Sequence, residues 1–444
     1  FQKAIDKARK GKGPSVIVSN VVRLLPHSNA DDHRKYRSIK EIDSDKKKDP
    51  LTIFSKMCIR AKVAKQIDFD KLEEKAKKQI DEESLWADKQ DNPKAEEATK
   101  NLYSSNTELK YNTTPKIISD KIVLVDSINH ALEEEMERNS KMLIYGEDVA
   151  GGKGGVFTAT RGLTDKFGTE RVYNSPLAES SIVGTAIGLS VAGYKPVVEI
   201  QFGDYVWTAM MQIRNELSTF RYRSNGSWTC PVVIRIPVGG YIHGALCHSQ
   251  SIDGYFTHLP GVKIAYPSNA SDAKGLLKSA CRMDDPVIFM EHKGLYRQGF
   301  AASPEPDNNY LIEFGKANIV QSGNDLTIIT WGSTVQKSIE ASRESEYSVE
   351  IIDLRTLNPI DKDAIMVSIK KTNRVIVAHE DNLTGGFGGE LVSIISDIGF
   401  EFLDAPIKRV ASKDCHVPYS PILEDEILVQ SSWIKEKIDE LMNF

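Results

Sequence analysis

Short apolar runs alternate with amphipathic segments over residues 116–300, a pattern that predicts a parallel sheet with helices on both faces. The apolar runs predict these strands: MLIY, PVVEIQF, PVVIRI, VKIAY and PVIFME. Between two of them, a helix spans 272–282. Another helix starts at Tyr205 and carries an apolar stripe on its core face: Val206, Met210, Ile213, Leu217 and Phe220.

A second alternating pattern covers residues 314–444 and predicts a smaller α/β domain. Its strands are DLTIITWG, YSVEIIDLR, RVIVAHE and PIKRVA. Residues 301–313 are rich in Pro, Asn and Asp, so we expect a linker between the two domains. In LTGGFGGE (383–390) a glycine-rich turn enters a helix, for which we favour a structural role over a ligand site.

The first 103 residues show no pattern of a compact core. They predict a helix end, a G-K-G-P turn, a strand at 15–25, a polar loop at 26–49 and charged amphipathic helices at 50–63 and 68–91. A Ser/Thr/Asn-rich connector follows at 104–115. We therefore expect this segment to need a larger surface to pack on, rather than to be stable alone.

Glu179 is the candidate for chemistry that the pattern itself marks. The turn Asn174-Ser175-Pro176 leads to this carboxylate, which begins a helix of small and apolar residues that ends near Gly193. Because this helix is apolar nearly all round, we expect it to be buried. A carboxylate beside such a helix is costly to bury without a partner. The alternative is a capping role, because an acidic residue at a helix N-terminus favours the macrodipole. The spacing alone leaves both interpretations open.

Composition and charge are those of an ordinary soluble globular protein. The chain has 444 residues, 40% hydrophobic and 27% charged, with a net charge of −5. This balance gives no strong case for nucleic acid or an anionic membrane as partner. The five cysteines form no C-x-x-C pair, which favours a reducing compartment. The sequence starts at Phe1 within an apparent helix, so we expect a fragment or processed product, cytoplasmic if bacterial and otherwise from the mitochondrial matrix.

Three motifs resemble the β subunit of the thiamin-diphosphate-dependent 2-oxo acid dehydrogenases: PLAES with the helix after it, EIQFGDY, and GALCHSQS. The resemblance implies a transketolase-like pyrimidine-binding domain at 116–300, followed by a transketolase C-terminal-type domain at 314–444. It also implies that Glu179 hydrogen-bonds the aminopyrimidine ring of the cofactor and that Leu177 lies under that ring. Gln201 and Tyr205 would line the cofactor pocket.

His248 is the further catalytic candidate that this resemblance implies. In the family, the corresponding histidine helps to pass the acyl group to a lipoyl arm, a proton-transfer task suited to imidazole. A hydrogen-bonded loop histidine without such a role is the alternative. His243 lies nearby in the sequence and is a competitor that matches the family less well.

Residues 1–103 resemble the C-terminal end of the α subunit of the same enzymes. The matching positions are Arg23, His27, Ser28, Asp31, Asp32, Tyr36, Arg37 and Ser38. His27 would contact the cofactor near its reactive carbon, and Ser28 matches a regulatory phosphorylation site of animal members. Pro26 departs from the branched-chain pattern, which usually has another histidine there. The family's G-D-G…N motif does not occur, so we expect the magnesium and diphosphate ligands in an upstream domain.

The resemblance implies oxidative decarboxylation of a 2-oxo acid, with acyl transfer to a lipoyl-bearing dihydrolipoyl acyltransferase. Dihydrolipoyl dehydrogenase would act indirectly, and the β-type domain would self-associate. EIQFGDY, GGVF (154–157), HGALCHSQS and LTGGF are nearer the branched-chain members than the pyruvate members. A pyruvate-type enzyme and a noncatalytic assembly piece are the alternatives.

Overall fold

The computed structural model describes residues 1–105, 109–112 and 114–444. The chain divides into two compact units, residues 1–95 and residues 96–444. Residues 106–108 and 113, which belong to the connector expected at 104–115, lie outside the described residues.

The first unit is helical and has almost no interior. Its helices are α1 (Gln2–Arg9), α2 (Ile39–Lys46), α3 (Pro50–Arg60) and α4 (Gln66–Asp88). Ser38 and Glu41 form a capping box that starts α2. Across this fully described stretch only His33 and Ile42 are buried, and the apolar side chains of α4 are exposed except for Phe69, which is half-buried. The expectation that these residues lack a core of their own is confirmed.

The strand predicted at 15–25 is wrong. The segment has no regular secondary structure, and its valines at 16, 18 and 21 are exposed. Val and Ile favour a pleated, half-buried surface rather than an isolated extended backbone. A β-rich apolar run therefore stays irregular when no neighbouring strand pairs with it.

The second unit contains the predicted pyrimidine-binding-type fold. Its elements in chain order are β1 (Ile117–Ile122), α5 (Leu124–Arg138), β2 (Met142–Gly146), α6 (Leu163–Phe167), β3 (Val172–Asn174), α7 (Glu179–Val191), β4 (Lys195–Glu199), α8 (Phe220–Arg223), β5 (Val233–Val238), α9 (Asp253–Thr257), β6 (Lys263–Ala265), α10 (Ala270–Arg282), β7 (Val287–His292) and β8 (Ser303–Pro306). Alternate residues of the strands face opposite sides: Val197 packs in the core with α5 and α10, and Val198 packs in the core with α7. Helices on both faces are thus confirmed.

The second domain follows with β9 (Asn318–Gln321), β10 (Leu326–Thr330), α11 (Thr334–Arg343), β11 (Val349–Asp353), β12 (Thr356–Asn358), α12 (Lys362–Thr372), β13 (Val375–Asn382), α13 (Phe387–Gly399), β14 (Lys408–Ser412), α14 (Pro421–Ile427) and α15 (Ser431–Met442). Its sheet has the order β14-β13-β10-β11-β9, with β9 antiparallel. The glycine-rich segment LTGGF enters α13, as expected. The α/β class of both domains is confirmed.

Two connections between the domains were not predicted. Among the described residues, the first sheet has the order β12-β6-β7-β5-β4-β2-β3. Its edge strand β12 comes from the second domain and pairs antiparallel with β6. This strand covers a sheet edge. The segment 301–313, expected to be a linker, contains β8, which pairs with β1, and a buried run at 310–312. That segment therefore packs as part of the fold.

The helix predicted from Tyr205 is divided into three pieces. A 3-10 helix covers Gly203–Ala209, a π-helix covers Gln212–Leu217, and α8 follows. The Ser218 and Thr219 hydroxyls donate to carbonyls four residues earlier, a contact that bends helices. The core face is nonetheless as predicted, because Val206, Ile213 and Leu217 are buried. None of the described helices is both long and apolar enough to cross a membrane.

Candidate active site

Glu179 lies near the carboxyl end of β2, because it is close enough to Glu147, the residue after that strand, to raise the pKa of Glu147. This end of the strands is the usual ligand edge of a parallel sheet. Glu179 is the first residue of α7 and is half-buried. Its Oε2 accepts a hydrogen bond of 2.9 Å from the Thr208 hydroxyl, while no described residue donates to its Oε1. The partner that a carboxylate needs beside an apolar helix is therefore Thr208, and one oxygen stays available for a ligand.

Leu177 lies two residues before this carboxylate and is 84% exposed. An exposed leucine beside a carboxylate presents an apolar surface and a charged acceptor to the same ligand. Helix α7 is not buried all round, contrary to the expectation, because Gly184, Thr185 and Gly188 are exposed on one face. A second macromolecular surface can approach this face closely, since it carries little side-chain bulk.

Tyr205 and His248 are brought together by the fold, although 43 positions separate them. The Tyr205 Oη and the His248 Nε2 are 2.8 Å apart, and the His248 Nδ1 is 3.1 Å from the Gly244 carbonyl. A carbonyl only accepts, so Nδ1 carries the proton and Nε2 accepts from the phenol. Burial, and then Cys247, raise the pKa of Tyr205, which therefore stays a donor. The imidazole is thus held in one tautomer.

The loop that carries His248 has an unusual backbone. Within residues 239–250, all of which are described, Tyr241, His243 and Ala245 have φ angles of 60°, 55° and 58°. Left-handed conformations of non-glycine residues are costly and cluster at functional sites. The loop nonetheless makes specific contacts: Phe202 packs edge-on against the His248 ring, with centroids 4.5 Å apart.

His243 has a different environment from His248. Its Nδ1 is 2.6 Å from the Glu424 Oε2, and its backbone N–H also points to that carboxylate. Glu424 belongs to α14, so this contact joins the loop to the second domain. Of the two histidines, His248 is the one that contacts Tyr205.

Gln201 follows β4 and lies near Asp148, with 3.4 Å between its Nε2 and the Asp148 Oδ2. A hydrogen bond from Lys153 lowers the pKa of Asp148. His27 lies in the first unit, where its Nδ1 is 2.8 Å from the Asp31 Oδ2. Hydrogen bonds from Tyr36 and then His27 lower the pKa of Asp31 to about 2. The cofactor contact expected for His27 stays a prediction.

Glu147 was not predicted as a site residue from the sequence, although it directly follows the carboxyl end of the buried strand β2. It is 2% exposed, and no described residue donates to its Oε1. Burial, followed by repulsion from Glu179, Asp148 and Glu199, raises its pKa to about 7. The signal in the sequence was the acidic pair Glu147-Asp148 after an apolar strand, a position typical of ligand-edge residues.

A buried triad of Arg235, Glu199 and Glu291 near the same edge of the sheet was also not predicted from the sequence. Arg235 on β5 donates to Glu199 at 2.7 Å and to Glu291 at 2.6 and 2.7 Å. The Tyr296 hydroxyl donates to Glu291 at 2.6 Å. The triad joins β4, β5 and β7, so that two carboxylates share one guanidinium, and burial raises the pKa of Glu199. Partners on different strands cannot be paired from the sequence alone.

We expect Glu147→Gln to stabilise the protein at alkaline pH. The folded-state pKa of about 7 lies above the ordinary 4.5, so wild-type stability falls as pH rises through this interval. The glutamine variant lacks this loss, and its Tm at pH 8 should exceed that of the wild type by about 2–4 °C. Thermal unfolding of the variant and the wild type at pH 4 and pH 8 measures this difference in Tm. An equal difference at both pH values would contradict the raised pKa of Glu147.

Sequence profiles of three families match the chain in succession. "Dehydrogenase E1 component" matches residues 1–96, "Transketolase, pyrimidine binding domain" matches 120–298, and "Transketolase, C-terminal domain" matches 315–434. A solved structure described as "Split gene transketolase, inactive beta4 tetramer" has the same fold, with a TM-score of 0.59 at 22% identity over 72% of this chain and 98% of that one. The class is therefore a transketolase-like α/β protein with an E1-type segment before it.

Two relatives narrow the class. The 2-oxoisovalerate dehydrogenase subunit beta of Bacillus subtilis is 45% identical over 72% of this chain and 98% of its own length. The pyruvate dehydrogenase E1 component subunit beta of Staphylococcus aureus is 43% identical over 73% of this chain and 99% of its own length. The chain belongs to the family of the E1 β subunits of 2-oxo acid dehydrogenases, with part of an E1 component before the β-type domains. The resemblance found in the sequence is confirmed.

Proposed function

We propose that the chain supplies the pyrimidine-binding half of a thiamin-diphosphate-dependent active site that decarboxylates a branched-chain 2-oxo acid. The acyl group then passes to a lipoyl group of a dihydrolipoyl acyltransferase. The observation that carries the proposal is the convergence of Leu177, Glu179 and the Tyr205–His248 pair at one edge of the sheet. Membership of the E1 β family supports the same cofactor.

The side chains at this edge fit the aminopyrimidine end of thiamin diphosphate. Leu177 offers an exposed apolar surface for a flat ring, and the free Oε1 of Glu179 can accept a hydrogen bond from a ring nitrogen. Gln201 and Tyr205 provide polar groups on the same side. When bound, thiamin diphosphate supplies the electron sink that decarboxylation of a 2-oxo acid requires.

The chain's own residues orient groups and move protons. Glu179 takes up or releases a proton at Oε1, while Thr208 fixes its other oxygen. His248 presents Nε2, which accepts the Tyr205 hydrogen bond at rest and can exchange a proton with the acyl acceptor during transfer. The hydrogen bond to the Gly244 carbonyl keeps the imidazole in the orientation this exchange needs. His27 would contact the cofactor near its reactive carbon.

Magnesium and the diphosphate group would be bound by an α-type domain. Among the described residues there is no group of three or more His, Cys, Asp or Glu side chains that could hold a metal ion. We further propose that the β-type domain self-associates and that the exposed small-residue face of α7 approaches another subunit closely. Dihydrolipoyl dehydrogenase would reoxidise the lipoyl group. Since the relatives cited above are bacterial, we favour a cytoplasmic location.

The branched-chain substrate is tested by comparing two 2-oxo acids. The full-length protein, assembled with its α-type domain and a lipoylated acceptor domain, should show a kcat/KM at least about tenfold higher for 3-methyl-2-oxobutanoate than for pyruvate, because two additional methyl groups fill an apolar pocket. The pyruvate alternative is favoured by the 43% identical relatives. A higher kcat/KM for pyruvate than for 3-methyl-2-oxobutanoate would establish the pyruvate-type substrate. Turnover of neither acid would favour a noncatalytic assembly role.

A further inference from the structure

Lys293 is a buried cation that the proposed function leaves unexplained. It directly follows β7 and is 4% exposed, and no described residue accepts a hydrogen bond from its Nζ. Burying a charged ammonium without such a partner is costly. Lys274 is also buried, but it donates to Glu305 at 2.8 Å and to the Pro306 carbonyl at 2.9 Å, and its Nζ lies 2.7 Å from the Glu134 Oε1. The lack of a hydrogen-bonding partner is therefore a property of the Lys293 position.

The surroundings of Lys293 lead to Tyr205 and His248 by two routes. Its Nζ lies over the Phe202 ring, 5.5 Å from the centroid, and the same ring packs against His248 at 4.5 Å and Tyr205 at 5.4 Å. The second route is electrostatic: Asp204, the residue before Tyr205, attracts the ammonium. The Asp204 Oδ2 lies 3.4 Å from the backbone nitrogen of Gln250, in the loop of His248.

We propose that Lys293 is a positioning residue for acyl transfer. Its ammonium lies over Phe202 and is attracted by Asp204, and it thereby fixes the 203–209 helix against the 244–250 loop. This packing maintains the contact between Tyr205 and His248. The inference rests on the proposed function of these two residues and adds a group that acts through them. The cavity of about 490 Å³ beside Tyr205 is lined by Trp207, Cys247 and others of both domains, and Lys293 is not among them.

The charge state of Lys293 supports a functional rather than a stabilising role. Burial lowers its pKa to about 7, against the attraction of Asp204 and Glu380, whereas burial raises the pKa of Asp204, against the attraction of Lys293. The other ionisable groups around this pair are His248 near Asp204, and near Glu380 His292, Lys337, Tyr241, Tyr266 and Asp253.

The sign of the stability effect follows from these values. The folded-state pKa of Lys293 lies below the ordinary 10.5, so protonating this lysine is less favourable in the folded than in the unfolded protein. The free energy of unfolding therefore falls as pH drops from 10.5, and the full loss is present below about 7. Removing the ammonium should therefore stabilise the protein at neutral pH. If Lys293 instead stabilised the fold, its removal would lower the Tm at neutral pH.

The test is Lys293→Met in the full-length assembled protein, with three readouts. We expect Tm at pH 7 to rise by about 2–4 °C. Alkylation of Cys247, an exposed thiol beside His248, should accelerate at least about threefold, measured on the peptide by mass spectrometry because Cys415 is also exposed. The kcat of acyl transfer should fall about 3–10-fold, with KM for the 2-oxo acid changed less than twofold. Asp204→Asn should change alkylation and kcat in the same direction.

Lys274→Met is the matched control. It removes a paired buried cation and leaves Glu305 without that partner, so we expect a lower Tm and an unchanged rate of Cys247 alkylation. If Lys274→Met does not fold, Lys195→Met replaces it as a control for the alkylation rate, since Lys195 is also buried but donates to the Ala280 and Met283 carbonyls.

Two outcomes would overturn the inference: a lower Tm for Lys293→Met, or an unchanged rate of Cys247 alkylation in both Lys293→Met and Asp204→Asn. Tm and alkylation need no turnover, so they decide the positioning role even if the wild-type protein transfers no acyl group. Absence of wild-type transfer would instead contradict the proposed function.

Discussion

Glu179→Gln should lower decarboxylation by about 10²–10⁴-fold in the assembled protein while leaving the fold intact. Glutamine has nearly the same shape, and its carbonyl oxygen can still accept the hydrogen bond from Thr208. It cannot exchange a proton, which is the task we assign to the free carboxylate oxygen. The rate of CO₂ release from the 2-oxo acid, together with Tm, measures both parts of this expectation.

Two further variants make the Glu179 experiment specific. Thr208→Val removes the hydroxyl that fixes Oε2 and should cause a smaller loss, about 5–20-fold, because the carboxylate is present but less well oriented. Glu436→Gln on α15 changes a 74% exposed glutamate outside the site and should have no effect. Retention of more than a tenth of the wild-type rate by Glu179→Gln would show that another group performs the proton exchange.

His248→Asn should lower acyl transfer to the lipoyl group by about 10²–10³-fold. Decarboxylation followed with an artificial electron acceptor should fall less than about tenfold, because that assay bypasses the lipoyl group. Asparagine can still bond to Gly244 or Tyr205 but cannot donate and accept a proton as imidazole does. Comparing the two assays on one preparation separates transfer from decarboxylation.

His243→Asn is the control for His248, since the two histidines lie in one loop. His243 contacts the buried carboxylate of Glu424, so we expect its loss to affect stability more than transfer. Tyr205→Phe should reduce transfer about 3–10-fold, by removing one hydrogen bond to the imidazole. A larger loss of transfer in His243→Asn than in His248→Asn would reverse the assignment of the two residues.

The parts of the fold that follow from local pattern could be predicted from the sequence. The buried strands of both domains appear as continuous apolar runs, and the helices between them have a single apolar face. The motifs around Glu179 and His248 lie at strand ends and helix starts, so a parallel sheet brings them to one edge. Their contacts required the structure, because the Tyr205–His248 hydrogen bond depends on how two loops pack.

The parts that depend on pairing between distant segments could not be predicted. The three residues of β12 carry no strand signal of their own, yet they pair with β6 across a domain boundary. The apolar run at 15–25 has strand composition but no partner strand, and it stays irregular. Arg235 and its two glutamates are each unremarkable within their strands; only the alignment of β4, β5 and β7 brings the three charges together.

The central claim is that this chain provides one half of a thiamin diphosphate site. The most direct measurement is calorimetric titration of thiamin diphosphate with magnesium into this chain and into the same chain assembled with the α-type domain. We expect saturable binding only for the assembled protein, since the described residues offer the pyrimidine end of the site and no metal-binding cluster. Binding of the diphosphate cofactor by this chain alone would contradict the account.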